Sequence, residues 1–183
     1  MAISVVFLAL LGLPLALIAA LVKSTSPGPV LFVQDRIGKN GDRFRIYKFR
    51  TMRASPEGAP NEWTTENDPR ITPFGGVMRR THLDELPQVL NILRGDLAMV
   101  GPRPEQPQYV TELADKLPFY DLRHLVRPGL TGWAQVKYGY AGDERDALEK
   151  LQYEFYYLRH QSLGLDLRIM GRTLRSVLGR GGR

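Results

Sequence analysis

The chain opens on an unbroken apolar stretch. Residues 2–22, AISVVFLALLGLPLALIAALV, carry no charge, and as a straight helix they would reach about 31 Å at ~1.5 Å per residue, just enough to cross a bilayer core. Pro14, close to Gly12, removes a backbone hydrogen bond and disfavours helical geometry at Leu13, which predicts a kink. The kink fits a bent span or a helix-break-helix that enters and leaves by one face; the residues alone leave both open. A cleaved signal peptide fits poorly, because no basic residues precede the apolar run and Lys23-Ser24-Thr25 offers no convincing cleavage site.

Past the breaker Ser26-Pro27-Gly28-Pro29, residues 30–37 and 44–52 flank the turn-like Gly38-Lys39-Asn40-Gly41-Asp42 and predict a β-hairpin. Phe44 and Ile46 share a face with Lys48 and Arg50, and Arg45, Tyr47 and Phe49 take the other, so neither face is cleanly apolar. Residues 53–70 are polar and rich in turn formers, which predicts a mobile loop or lid; Trp63 within it is a packing plug or an interface anchor. Helices are predicted at 73–80, 84–94, 109–117, 118–125 and 143–159, and a last one is capped by Ser162. Proline and glycine in Met99-Val100-Gly101-Pro102-Arg103-Pro104 and over residues 126–136 predict two stiff loops, the second partly extended, each holding an arginine. The fold class is α+β, mainly helical with a small hairpin.

The stretch that concentrates chemistry is Thr81-His82-Leu83-Asp84-Glu85-Leu86-Pro87-Gln88. Proline is tolerated in a first helical turn, so Asp84 is expected to cap an α-helix that Gly95 ends. The positive end of the helix dipole is then expected to keep the Asp84 carboxylate ionised. Alone, the segment looks like any N-capped amphipathic helix. Its surroundings change that, because Lys48, Arg50, Arg79 and Arg80 precede it and Arg103 and Arg127 follow, a mix suited to phosphoryl groups.

Composition narrows the partners. The formal net charge of +6 admits nucleic acid, anionic lipid or an anionic substrate, and the apolar N-terminus favours the last two. The absence of cysteine removes disulfides and thiolate chemistry, and His82, His124 and His160 lack zinc spacing. In the last helix Leu167, Met170, Leu174 and Leu178 form one side and Arg168, Arg172 and Arg175 another, as on a helix lying on an anionic membrane or one docked on a core. The stripe Leu148, Leu151, Phe155, Leu158 is expected to pack inward.

In order along the chain, the proline-broken apolar N-terminus, Ser-Pro-Gly-Pro-Val, Tyr47-Lys48-Phe49-Arg50-Thr51-Met52, Asn67-Asp68-Pro69-Arg70-Ile71-Thr72, Leu83-Asp84-Glu85-Leu86-Pro87-Gln88, Gly101-Pro102-Arg103-Pro104 and Val126-Arg127-Pro128-Gly129 with Thr131-Gly132-Trp133-Ala134-Gln135-Val136 resemble the bacterial sugar transferases. These are monotopic polyprenyl-phosphate phosphoglycosyltransferases. The resemblance implies transfer of a sugar-1-phosphate from a UDP-sugar to polyprenyl phosphate with release of UMP, through a covalent intermediate on Asp84, with Glu85 and Asp84 holding Mg²⁺. It implies phosphate contacts from Arg79 and Arg103, extended here to Lys48, Arg50 and Arg127. It also implies a re-entrant helix over 1–23, a catalytic domain over 24–183 on the cytoplasmic face of the bacterial inner membrane, and an interfacial C-terminal helix. Membrane lipid is then a partner and nucleic acid is not; a homo-oligomer stays open.

Two departures stand against that pattern. The chain starts at Met1-Ala2-Ile3 without the basic, aromatic and acidic stretch of many relatives, as a short member or a part of a larger transferase would. Glu154 stands where relatives carry aspartate before a Tyr-Tyr pair. A membrane-anchored module that binds phosphate without turnover is the competing reading, and it would need no paired carboxylate.

Overall fold

The computed structural model describes residues 2–53, 68–138 and 144–179. Helix α1 (Ala2–Thr25) leads to strands β1 (Leu31–Ile37) and β2 (Arg43–Phe49), then α2 (Pro73–Thr81) and a 3-10 helix (Leu83–Gln88) that runs into α3 (Val89–Arg94). Strand β3 (Ala98–Val100), α4 (Pro107–Lys116), a 3-10 helix (Tyr120–Leu125), β4 (Gly129–Thr131), α5 (Trp133–Tyr138), α6 (Glu144–His160) and α7 (Leu163–Leu178) follow. The described chain is mainly helical with a small antiparallel hairpin, as its periodicities predict. Trp63, most of the polar loop before α2 and residues 139–143 lie outside the described residues.

The described residues form two units, one within Met1–Phe32 and Tyr47–Pro87, the other within Val33–Ile46 and Gln88–Gly179. In the first, Ile18 and Val22 of α1, Phe49 of β2 and Met78 of α2 make the core, with Leu15, Ala19, Leu83 and Leu86 packed against it. Residues 15, 18, 19 and 22 recur at helical spacing, so one face of α1 is committed to this core. The opposite face leaves Leu13 78%, Leu17 63% and Leu21 42% exposed. Pro14 sits inside α1, which is a single helix across it. Among the described side chains, which begin at Gly12 in α1, no helix is long and apolar enough to cross a membrane.

The second unit is centred on Val100, Tyr157, Leu165 and Ile169. The two predicted loops meet where β3 and β4 pair in parallel, Ala98 opposite Gly129 and Val100 opposite Thr131, but the second is loop and strand only to Gly132, because Trp133–Tyr138 is helical rather than extended as expected. Gly101 permits this, because a Cβ there would strike the backbone oxygen of Arg127. On α7 the packed residues are Leu165 and Ile169, whereas Leu163, Leu167 and Leu174 are exposed. Of the predicted leucine side, Leu167 and Leu174 are exposed, whereas Met170 packs against this core. On α6, Leu151 is buried but Leu148 is 45% exposed, and Glu154 and Tyr157 share the buried face, so the expected inward stripe is rotated.

Candidate active site

Leucines three residues apart decide the geometry of the acidic pair. An α-helix does not begin at Asp84 as predicted, although Pro87 would be tolerated in the first turn of one. The segment Leu83–Gln88 is instead a 3-10 helix, and the α-helix starts only at Val89. With three residues per turn, Leu83 and Leu86 eclipse and both pack on the core, leaving Asp84 and Glu85 between them. Asp84 is thus not the cap of an α-helix. His82, in the left-handed conformation at φ 55°, closes α2, and its carbonyl accepts from the Glu85 amide at 3.2 Å.

From β2, Lys48 Nζ donates to Glu85 Oε1 at 2.7 Å, with side chains 17% and 18% exposed. Beside this pair, Asp84 Oδ1 is buried and has no hydrogen-bond partner. Burial raises the Asp84 pKa; Lys48 opposes the rise, Glu85 adds to it and Arg79 opposes it. This corrects the expectation that a helix dipole holds Asp84 ionised. A short 3-10 helix offers little dipole, and removal from water dominates.

Behind the dyad, Arg79 Nε donates to Thr51 Oγ1 at 2.9 Å. Thr72 caps α2 by accepting from the Gly75 amide at 2.9 Å, and its own amide bonds to the Thr51 carbonyl at 3.0 Å. Asp68 is gripped by Arg70, Nη2 to Oδ2 at 2.7 Å and Nε to Oδ1 at 2.9 Å. That hydrogen bonding holds the Asp68 carboxyl at about 2, well below its ordinary value. Segments 47–52 and 68–72 are thereby tied side by side, through a Met52–Ile71 bridge and the Thr51 contacts. Thr51 lies inside one of the sequence motifs, but no spacing marks it as the support for Arg79.

Arg50 is buried and its Nη2 donates to the carbonyl and hydroxyl of Ser26 at 2.7 and 3.0 Å, clamping the breaker after α1. Arg103 and Arg127 belong to the second unit, Arg103 half-buried and Arg127 exposed. The Arg103 carbonyl accepts from Arg123 Nη2 at 2.7 Å, and Arg123 in turn pairs with Glu154 through bonds of 2.7 and 2.8 Å. Glu154 thus belongs to a buried ion pair that fixes the Gly-Pro-Arg-Pro loop, and Arg123, which carried no signal in the sequence, is its partner.

No cluster of three or more potential metal-ligating side chains occurs among the described residues. Mg²⁺ rarely needs one: one or two carboxylates suffice when phosphate oxygens and water complete the shell. Asp84 with its unpartnered Oδ1 and the adjacent Glu85 fit that requirement.

Comparison with known proteins places this geometry. Residues 1–180 match the model of the family described as bacterial sugar transferase. The chain is 47% identical over 160 residues to the UDP-N-acetylgalactosamine-undecaprenyl-phosphate N-acetylgalactosaminephosphotransferase of Aeromonas hydrophila, covering 87% of this chain and 38% of that one. It is 47% identical over 178 residues to the UDP-glucose:undecaprenyl-phosphate glucose-1-phosphate transferase of Xanthomonas campestris pv. campestris, covering 94% of this chain and 37% of that one. The chain therefore spans under two-fifths of either relative. Against the exopolysaccharide production protein PSS of Rhizobium leguminosarum bv. phaseoli it is 42% identical over 173 residues, 91% of this chain and 86% of the relative. The dyad, its flanking motifs and the match from end to end agree: the chain belongs to the bacterial sugar transferase family.

Proposed function

We propose that the chain transfers a sugar-1-phosphate from a UDP-sugar to polyprenyl (undecaprenyl) phosphate, releasing UMP, through a phosphosugar ester on Asp84. The observation that carries this reading is Asp84 Oδ1, buried without a partner beside the Lys48–Glu85 pair. An oxygen with no donor on it keeps its lone pairs for attack, and carboxylates do serve as covalent phosphoryl acceptors. The Asp84 oxygen attacks the phosphorus bearing the sugar; a new O–P bond forms, the diphosphate bond breaks, and UMP leaves with the electron pair. An oxygen of polyprenyl phosphate then attacks the same phosphorus, the Asp84–phosphorus bond breaks, and the carboxylate returns.

Lys48 and Arg79 supply fixed positive charge in a partly buried setting, where it acts more strongly than in water. Thr51 holds the Arg79 guanidinium and Glu85 holds the Lys48 ammonium, so neither has to be ordered on binding. Mg²⁺ at Glu85 and Asp84 would neutralise the diphosphate.

The substrate lipid sets the location. Exposed Leu13, Leu17 and Leu21 on α1, and exposed Leu163, Leu167 and Leu174 beside exposed arginines on α7, support work at the cytoplasmic face of the inner membrane. In this reading α1 is re-entrant, α7 is interfacial, and the reaction is the first membrane step of exopolysaccharide, capsule or glycoconjugate assembly. The test is UMP release from a panel led by UDP-glucose and UDP-N-acetylgalactosamine, with Mg²⁺, with and without undecaprenyl phosphate. UMP with one donor, sustained by the lipid phosphate, is expected. No UMP from any donor with folded protein would remove the reading.

A further inference from the structure

The second unit carries a cluster of aromatic and basic side chains that the transfer chemistry does not use. Trp133 opens α5, its indole stacked on Tyr156 of α6 with centroids 5.9 Å apart and planes 24° apart. Tyr156 is stacked in turn on His160 at 4.2 Å. Two cations converge on the same indole, Lys137 Nζ at 5.0 Å from the ring centroid and Arg172 of α7 with its Cζ at 5.3 Å. Both are exposed, and neither has a carboxylate partner among the described residues.

Like charges drawn to one small surface repel each other, and among the described residues no acid offsets them. The indole holds them through cation–π attraction, which fixes their positions without neutralising them. With Tyr156 and two cations already against it, the ring is spoken for as a stacking surface for a base. What the arrangement lacks is an anion. The same helix supplies the setting: Arg172 lies on α7, whose Leu163, Leu167 and Leu174 are exposed and flanked by exposed Arg168 and Arg175. An apolar stripe beside a basic one, with a tryptophan at its margin, is what a protein presents to the headgroup layer of an anionic bilayer.

We infer that Lys137 and Arg172, held over Trp133, form a site for the phosphate of an anionic phospholipid headgroup, separate from the Asp84 chemistry. The inference rests on the membrane location proposed above but not on the transfer reaction.

The chain has two tryptophans, so Trp63→Phe makes Trp133 a local reporter. The full chain carrying that change is reconstituted in phosphatidylcholine vesicles and titrated with phosphatidylglycerol or phosphatidylcholine bearing brominated acyl chains. Phosphatidylglycerol should quench Trp133 at a lower mole fraction. Lys137→Gln and Arg172→Gln should each weaken that preference about fivefold, the double variant should abolish it, and Lys137→Arg should restore it. Arg43→Gln, an exposed arginine at the hairpin, should leave it intact. Equal quenching by the two lipids, a preference that survives the double variant, or an equal loss in Arg43→Gln would overturn the site. Reversal of the preference by inorganic phosphate alone would assign it to a free phosphate and overturn the lipid headgroup. Transferase activity lost with the preference intact would count against the reaction, not against this site.

Discussion

Lys48 Nζ lies 2.7 Å from Glu85 Oε1 and is also the strongest positive influence on Asp84, whose carboxyl burial pushes up. One cation therefore serves two adjacent acids. It neutralises the one it touches and limits the rise of the one it does not.

Removing it should be visible in a pH profile. Asp84 attacks only when ionised, so the rate rises with pH through its pKa. Lys48→Met takes away the largest opposition to burial and should move the acid limb to higher pH, with kcat/KM falling about 10²–10³-fold. Lys48→Arg keeps the charge and should return the limb toward its original position. Steady-state UMP release between pH 5 and 9, a range chosen to span about two units either side of neutrality, reads both.

The same burial makes Asp84 costly to the fold. A carboxyl whose folded pKa lies above its unfolded value favours the folded state at low pH, and this contribution is lost as pH rises through the folded value. At neutral pH Asp84→Asn should therefore melt at a higher temperature than the parent chain while losing transfer. A lower melting temperature by calorimetry would show that the carboxylate is held by contacts rather than strained.

Asp68 has the opposite sign. Hydrogen bonded by Arg70 and held at about 2, it stabilises the fold fully above the ordinary carboxyl range and loses that contribution as pH falls toward its own value. Arg70→Met returns Asp68 toward ordinary behaviour, so acid unfolding followed by circular dichroism should begin at higher pH. An unchanged midpoint would mean that the Asp68–Arg70 grip is incidental.

Adjacent glycines in α2 should behave in opposite ways. A Cβ on Gly75 would meet the Thr51 backbone, whereas on Gly76 the nearest atom is Ile71 Cγ2 at 3.9 Å. Gly76→Ala should gain up to about 1 kcal/mol from helix propensity. Gly75→Ala should cost about 1–3 kcal/mol and disturb the Thr51 contact to Arg79. Urea titration separates the two.

Arg123→Met strands Glu154 in the core and should cost about 3–5 kcal/mol, while Arg123→Met with Glu154→Leu should recover most of it. The double variant then tests whether the pair serves the Arg103 loop, because stability returns in it but the anchor on the Arg103 carbonyl does not.

These relationships mark where sequence reasoning stops. The hairpin, the Ser162 cap and the span of α6 follow from turn chemistry and periodicity, which are local. Leu86 lies three residues after Leu83 and four before Leu90, so this spacing does not separate a 3-10 turn from an α-helical one. Strands of three residues such as β3 and β4 carry no alternation to detect. Arg123 and Glu154 are 31 positions apart, so their pairing is a product of the fold alone. The dyad itself was legible, but its ionisation was not, since burial depends on what Lys48 and the core bring around it.

The central claim is that Asp84 becomes covalently phosphorylated, and intact-protein mass spectrometry tests it most directly. Detergent-purified chain is incubated with Mg²⁺ and a UDP-sugar, without acceptor lipid, beside Asp84→Asn. The account predicts a mass increase of one sugar phosphate for one donor, absent in the variant and discharged by undecaprenyl phosphate. UMP release that requires the lipid, with no adduct at any time, would contradict it and make Asp84 a ligand in a direct transfer.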